Sequence, residues 1–174
     1  MLFRSGPFWG RVLPRWFSLP RSARIARICT KSAVPNGAPT PSAFLVRLDN
    51  DTKRPKEHEL STHWLDFFTP WHGVEHAIKA LRLHVGARHA DDEYTLKPNT
   101  RFVVVDVGKL HREAEYLTPT PTVATCKHTP RFYGDSHSSV FPKPAVSEWP
   151  ANDDAYRHAL AKLLADCSEP KVHT

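Results

Sequence analysis

Apolar positions recur at three- and four-residue steps from Trp71 through Val74, Ile78 and Leu81 to Val85. That spacing draws one stripe along a helix and predicts one opening at Thr69-Pro70. Threonine caps free backbone N–H groups, and proline costs nothing at the first helical position. Gly86 fits the stop. A second helix is predicted from near Asn152, with Asp153 and Asp154 suited to its dipole and Tyr156, Leu160, Leu163, Leu164 and Cys167 along one side. Arg101-Phe102-Val103-Val104-Val105-Asp106-Val107 is apolar almost without break, which predicts a strand buried on both faces and ended by Gly108. Phe44-Leu45-Val46-Arg47-Leu48 predicts a shorter strand closed by the Asp49-Asn50-Asp51 turn.

Residues 111–150 follow no such period. Pro119, Pro121, Pro130, Pro142, Pro144 and Pro150 are interleaved with Tyr116, Phe132, Tyr133, Phe141 and Trp149. Proline removes ladder donors and breaks helices, so an extended arm is expected. Its aromatics are too many for an idle solvated tail, and they are the expected partner-binding residues. The expected fold is α+β: one small domain with two short strands, two amphipathic helices and a long irregular Pro/aromatic arm. Its parts are a leader (1–33), a linker (34–43), an α+β core (44–110), the arm (111–150) and a C-terminal helix and tail (151–174).

Charge changes the picture at the N-terminus. The chain has 24 Lys+Arg and 18 Asp+Glu, a formal net charge of +6, yet no acidic residue precedes Asp49. Eight basic residues do (Arg4, Arg11, Arg15, Arg21, Arg24, Arg27, Lys31 and Arg47), which leaves 16 against 18 from Asp49 onward. An Arg-rich, acid-free, Ser-dotted segment with interspersed aromatics has the composition of a mitochondrial transit peptide. Its best helical piece is Ser22–Lys31, and cleavage is expected between Arg24 and Ala33. No apolar run of about 18 residues occurs, so no membrane span is predicted. The near-neutral remainder argues against an autonomous nucleic-acid binder, which depends on clustered phosphate contacts. Cys29, Cys126 and Cys167 have no paired spacing and indicate no disulfide framework.

Two constellations carry candidate chemistry. His72-Gly73-Val74-Glu75-His76 places two imidazoles four residues apart on one helix face, where both reach one zinc, with Glu75 beside them as a proton acceptor. The spacing resembles the inverted zinc-peptidase signature, whose members include proteases that process mitochondrial presequences. The resemblance implies a downstream carboxylate ligand, for which Glu148 is available, and a body much larger than this chain. The other constellation is Arg47 on a strand, Ser61-Thr62 opening the next segment, and Glu148 later. That order resembles ADP-ribosyltransferase-like folds. It implies NAD as cofactor, Arg47 on its phosphate, Ser61 positioning the nicotinamide ribose, and Glu148 on a ribose hydroxyl, stabilising an oxocarbenium-like transition state.

Taken together, the leader, the small near-neutral remainder and the aromatic arm predict a non-catalytic accessory subunit of a large mitochondrial matrix assembly. The first expectation is a peripheral, protein-contacting position on the mitochondrial ribosome, needing no cofactor. Its partners are other protein subunits, with peripheral RNA contact. An NAD-using enzyme and a zinc-binding protein are the alternatives.

Overall fold

The computed structural model describes residues 16–47, 57–67, 73–88, 96–115, 122–130, 135–149 and 154–174. Among them six strands form one antiparallel sheet: β1 (Phe17–Ser18), β2 (Arg24–Cys29), β3 (Leu60–Trp64), β4 (Arg101–Asp106), β5 (Thr122–His128) and β6 (His137–Lys143). Their order is β1-β5-β6-β3-β2-β4. Three helices accompany them, α1 (Val74–Arg88), α2 (Val107–Ala114) and α3 (Ala155–Asp166), so the fold is mixed α+β.

The alternation of side chains along each strand divides the core in two. Ile25, Leu60, Val103, Val105 and Val140 point to one face, where α2, α3 and the turn at Pro41–Phe44 cover them with Leu110, Leu160, Leu164 and Phe44. Ala26, Phe102 and Val104 point to the other face, beneath Ile78, Leu81 and Val85 of α1. β4 is therefore buried on both sides, which is why it is Val-rich without interruption. The apolar stripe expected on α1 is the stripe that packs. Phe102 is fully buried against it. Phe102→Ala is expected to lower stability by about 3–5 kcal/mol, measurable by denaturant unfolding.

The N-terminal region departs most from expectation. Ser22–Lys31 was expected as a helix within a removable leader, but Arg24–Cys29 is an interior strand, paired with β3 from Ile25↔Trp64 and with β4 from Arg24↔Asp106 to Cys29↔Arg101. Its arginines are three residues apart, a helical spacing, yet on a strand they lie on opposite faces. Both meet acids from later in the chain. Arg24 donates to Asp66 from its backbone N–H (2.8 Å) and its guanidinium (2.5 and 3.1 Å). Arg27 lies 3.7 Å from Glu57. The preceding turn is locked in as well: Leu19 N–H donates to Cys126 O and Val107 N–H to Ala23 O. Gly108 leaves the room this requires, because a Cβ there would lie 2.6 Å from Arg21 O.

The expected arm is also different. Residues 107–114 are α2, Thr122–His128 and His137–Lys143 are strands of the sheet, and Val146–Glu148 is a 3₁₀ turn. Trp149 is buried on Tyr156, with its indole N–H on Pro144 O at 3.0 Å, and Phe141 packs beside Trp16. These two expected partner-binding residues thus pack within the chain; Tyr116, Phe132 and Tyr133 lie outside the described residues. The strand expected over 44–48 is not formed. Pro41–Phe44 is a 3₁₀ turn, and Leu45–Arg47 leads away from it without pairing in the sheet. Gly86 does not stop α1, which continues to Arg88. The helix start at Thr69-Pro70 lies outside the described residues. No described helix is long and apolar enough to cross a membrane.

The C-terminal tail closes the β4 edge, which would otherwise offer open ladder groups. Glu169 N–H donates to Val104 O, and Phe102 and His173 exchange both backbone bonds. His173 is buried between Glu75 (3.3 Å) and Glu169 (3.4 Å), and Lys171 also pairs with Glu75. The hydrogen bond from Lys171 holds the Glu75 carboxyl below its ordinary range. A depressed carboxyl stabilises the fold above its unfolded pKa, and that stability is lost as pH falls through the folded value. The wild-type melting temperature is therefore expected to exceed that of Glu75→Gln at neutral pH, the two converging well below pH 4.5. Equal pH profiles would contradict a pairing role for Glu75.

Candidate functional site

The sheet face under α1 is apolar only across β2 and β4. Across β3 and β6 the same face carries Ser61, His63, His137 and Ser139, and Thr129 joins them from just beyond β5. β6 is an interior strand, yet it begins His137-Ser138-Ser139, preceded by Asp135-Ser136, and all five residues are buried. Buried hydroxyl and imidazole groups cost free energy unless they are hydrogen-bonded, so a polar run in an interior strand marks a site before it marks a core.

These groups satisfy one another in a defined order. His137 Nδ1 faces the Thr129 carbonyl at 2.8 Å and Thr129 Oγ1 at 2.9 Å. A carbonyl only accepts, so Nδ1 carries the proton and Nε2 of the neutral ring is the acceptor. Ser61 Oγ lies 2.7 Å from Nε2 and donates to it. Thr129 Oγ1 continues to Ser139 Oγ at 2.9 Å, Asp135 accepts from His137 N–H, and His63 Nδ1 meets Ser136 Oγ at 3.1 Å. Arg27 donates to the Ser61 carbonyl at 2.6 Å. The result is a hydroxyl hydrogen-bonded to an imidazole whose tautomer is fixed from behind, the arrangement that activates a serine or orients it on a substrate.

The antiparallel registers bring the start of β2, the end of β3, the end of β5 and the start of β6 to one end of the sheet. Trp64 and His128 meet there with ring centroids 5.5 Å apart, and Phe17 and Phe67 pack around them. Trp64 Nε1–H and His128 Nδ1 are buried with no hydrogen-bond partner among the described residues. His128 Nε2 donates to Asp135 O at 2.7 Å. A cavity of about 320 Å³, lined by Pro20, Ser22, Ala23, Arg24, Trp64 and Asp66, opens at this end.

Of the residues singled out from the sequence, Ser61 is at the centre of this network, on strand β3. Arg47 reaches it indirectly: its guanidinium is 4.0 Å from Glu57, which also pairs with Arg27. Glu148 does not join them. Its carboxylate accepts from Ala145 N–H in its own turn. His72 lies outside the described residues, His76 is exposed, and Glu75 is engaged by Lys171 and His173. Among the described residues no group of three or more His, Cys, Asp or Glu is arranged to hold a metal. The thiols are not poised for chemistry, since burial pushes Cys126 up to about 12 and Cys29 and Cys167 up to about 11. Sequence reasoning missed His137, Thr129 and Arg27. The signal available for His137 was the polar pentad Asp135–Ser139 just ahead of the apolar Val140-Phe141-Pro142.

Comparison with protein-family models, curated proteins and solved structures found no match.

Proposed function

We propose that the protein is an NAD-using enzyme of the ADP-ribosyl-transfer class, with Ser61 and His137 at its centre. The observation that carries this is the 2.7 Å bond between Ser61 Oγ and His137 Nε2 on neighbouring interior strands. Of the three groups that the sequence suggested, Ser61 alone enters this pair, and other residues stand where the remaining two were expected. The strand arginines are Arg24 and Arg27 on β2 rather than Arg47, and the third polar group is His137 on β6 rather than Glu148. Ser61 and His137 meet the nicotinamide ribose, a sugar rich in hydroxyls that both donate and accept. Arg24, at the cavity, supplies positive charge toward the phosphates; at present it rests on Asp66. Ligand binding to the native state raises its stability by mass action, so a saturating concentration of NAD, about 100 times Kd, is expected to add about 2.7 kcal/mol. A thermal scan with and without NAD checks this, and an unchanged melting temperature at millimolar NAD counts against the assignment.

A second reading, the accessory subunit of a large assembly such as the mitochondrial ribosome, has one observation in its favour. Trp16, just before the two-residue edge strand β1, and Phe17 within it are 62% and 45% exposed, a surface for a neighbouring protein to cover. Within the segment expected as an irregular arm, residues 122–128 and 137–143 are strands of the sheet. Sedimentation of a tagged full chain separates the two. Migration with large particles that shifts on magnesium removal favours the subunit; migration near its own mass favours the enzyme. For either function we propose the mitochondrial matrix as the compartment, on the acid-free basic N-terminal composition. Any leader cleavage then falls ahead of Trp16, because β1, the Leu19–Ala23 turn and β2 belong to the sheet.

A further inference from the structure

We infer that the sheet face bearing Trp16 and Phe141 binds single-stranded nucleic acid, with Trp16 as the platform on which a base stacks. None of the side chains that form this surface belongs to the Ser61–His137 network, so it does not depend on the NAD assignment. Helix α1 packs on this face across β2 and β4. Further along, side chains alternate on each strand, so Phe141 and Lys143 of β6 share the face of Ser139. The register brings Thr125, Lys127 and Ser18 to the same face, through Thr125↔Phe141, Lys127↔Ser139 and Ser18↔Lys127. Trp16 joins them, its ring centroid 6.0 Å from that of Phe141 at a 40° tilt. Trp16, Ser18 and Lys143 are exposed, and Thr125, Lys127 and Phe141 are half-buried.

An indole that is 62% exposed offers ring surface to solvent, and every base has a π-face to lay on it. Lys127 Nζ lies 5.3 Å over the Phe141 ring, which holds a cation beside the stacking position, within reach of the phosphate of a stacked nucleotide. The Ser18 and Thr125 hydroxyls, 3.4 Å apart, add donors and acceptors for sugar and phosphate oxygens. Charge selects the partner. Strands β1, β5 and β6 contain Lys127 and Lys143 and no acidic residue. Asp106, Glu113, Glu115, Asp154 and Asp166 lie instead in or next to α2 and α3, on the opposite side of the sheet. The near-neutral total thus hides a segregation, and a polyanion meets cations and hydroxyls here with no carboxylate among them to repel it. The core of a protein–protein interface is depleted of lysine, whereas single strands are held by basic surfaces with interleaved aromatic rings.

The test titrates the full chain into an end-labelled single-stranded RNA of about 10 nucleotides and follows fluorescence polarisation at salt from about 50 to 200 mM. Trp16→Ala is expected to weaken binding by about 5- to 150-fold, the worth of one stacked base. It is expected to melt like the wild type, because the side chain it removes is mostly exposed. Lys127→Gln is expected to lower the slope of log affinity against log salt by about 0.7, one phosphate contact on a single strand. A duplex of the same length, whose bases are already stacked on one another, is expected to bind more weakly than the single strand. Ultraviolet cross-linking of the unaltered chain checks the site without a variant, the adduct being expected on the peptide that contains Trp16 or the one that contains Phe141. No binding at about 100 µM protein overturns the inference and leaves Trp16 to a protein neighbour. Binding that Trp16→Ala leaves unchanged, that a duplex equals, or that cross-links only elsewhere places RNA on basic residues outside this face and overturns it as well.

Discussion

A chain that begins at Val34 is expected not to fold. It lacks β2, which is hydrogen-bonded on both sides, so β3 and β4 lose their shared neighbour and the sheet divides. It also lacks Ile25 and Ala26, both fully buried and on opposite faces, so both halves of the core open at once. Burying one isoleucine is worth about 1.5–3 kcal/mol, and an entire domain retains only about 5–15 kcal/mol. Asp66 and Glu57 are left half-buried without Arg24 and Arg27, which adds a desolvation cost. The expected outcome for residues 34–174 is an aggregating or unfolded product without a cooperative thermal transition. A soluble 34–174 product with native-like circular dichroism and cooperative melting would refute the strand order, and with it the placement of Ser61 beside His137.

The second large effect is on catalysis. Ser61→Ala and His137→Ala are each expected to lower the rate of nicotinamide release by about 10²–10⁴-fold, the range for loss of a positioned base or its partner. The double variant is expected to be scarcely slower than either single one, because groups that act as a unit lose their effect together. Ser61→Ala should fold normally, since it removes a half-buried hydroxyl. His137→Ala leaves the Thr129 carbonyl and hydroxyl buried without the imidazole and is expected to lose about 1–3 kcal/mol as well. Rates are therefore compared below the lowest melting temperature of the set. Losses that multiply in the double variant would mean that the two residues act separately.

How much of this was legible depended on period. β4 and the face of α1 were legible because unbroken valine and a three-and-four step each have one structural meaning. β2 was not. Arg24-Ile25-Ala26-Arg27-Ile28 satisfies a basic amphipathic helix as well as a strand, and only the distant partners Asp66 and Glu57 decide between them. Those contacts span 42 residues from Arg24 to Asp66, beyond the reach of any local pattern. β5 and β6 were obscured by proline. Pro142 lies within β6, and the register with β5 is irregular between Val123 and Thr125, next to its Val123↔Pro142 pairing, so a ladder forms where composition argued against one. Ser61 was legible as a residue type at a plausible position. Its partner was not, because Ser61 and His137 are 76 positions apart and the pair exists only once β3 lies beside β6. Glu148 was the natural guess for a third group in a sequence with no geometry, but its own turn holds its carboxylate.

The most direct test of the central claim is nicotinamide release from NAD by the purified full chain, followed by chromatography over several turnovers. Steady release is expected, dependent on enzyme concentration and falling about 100-fold or more in Ser61→Ala. No release above the buffer control at millimolar NAD, or equal release by wild type and Ser61→Ala, would contradict it.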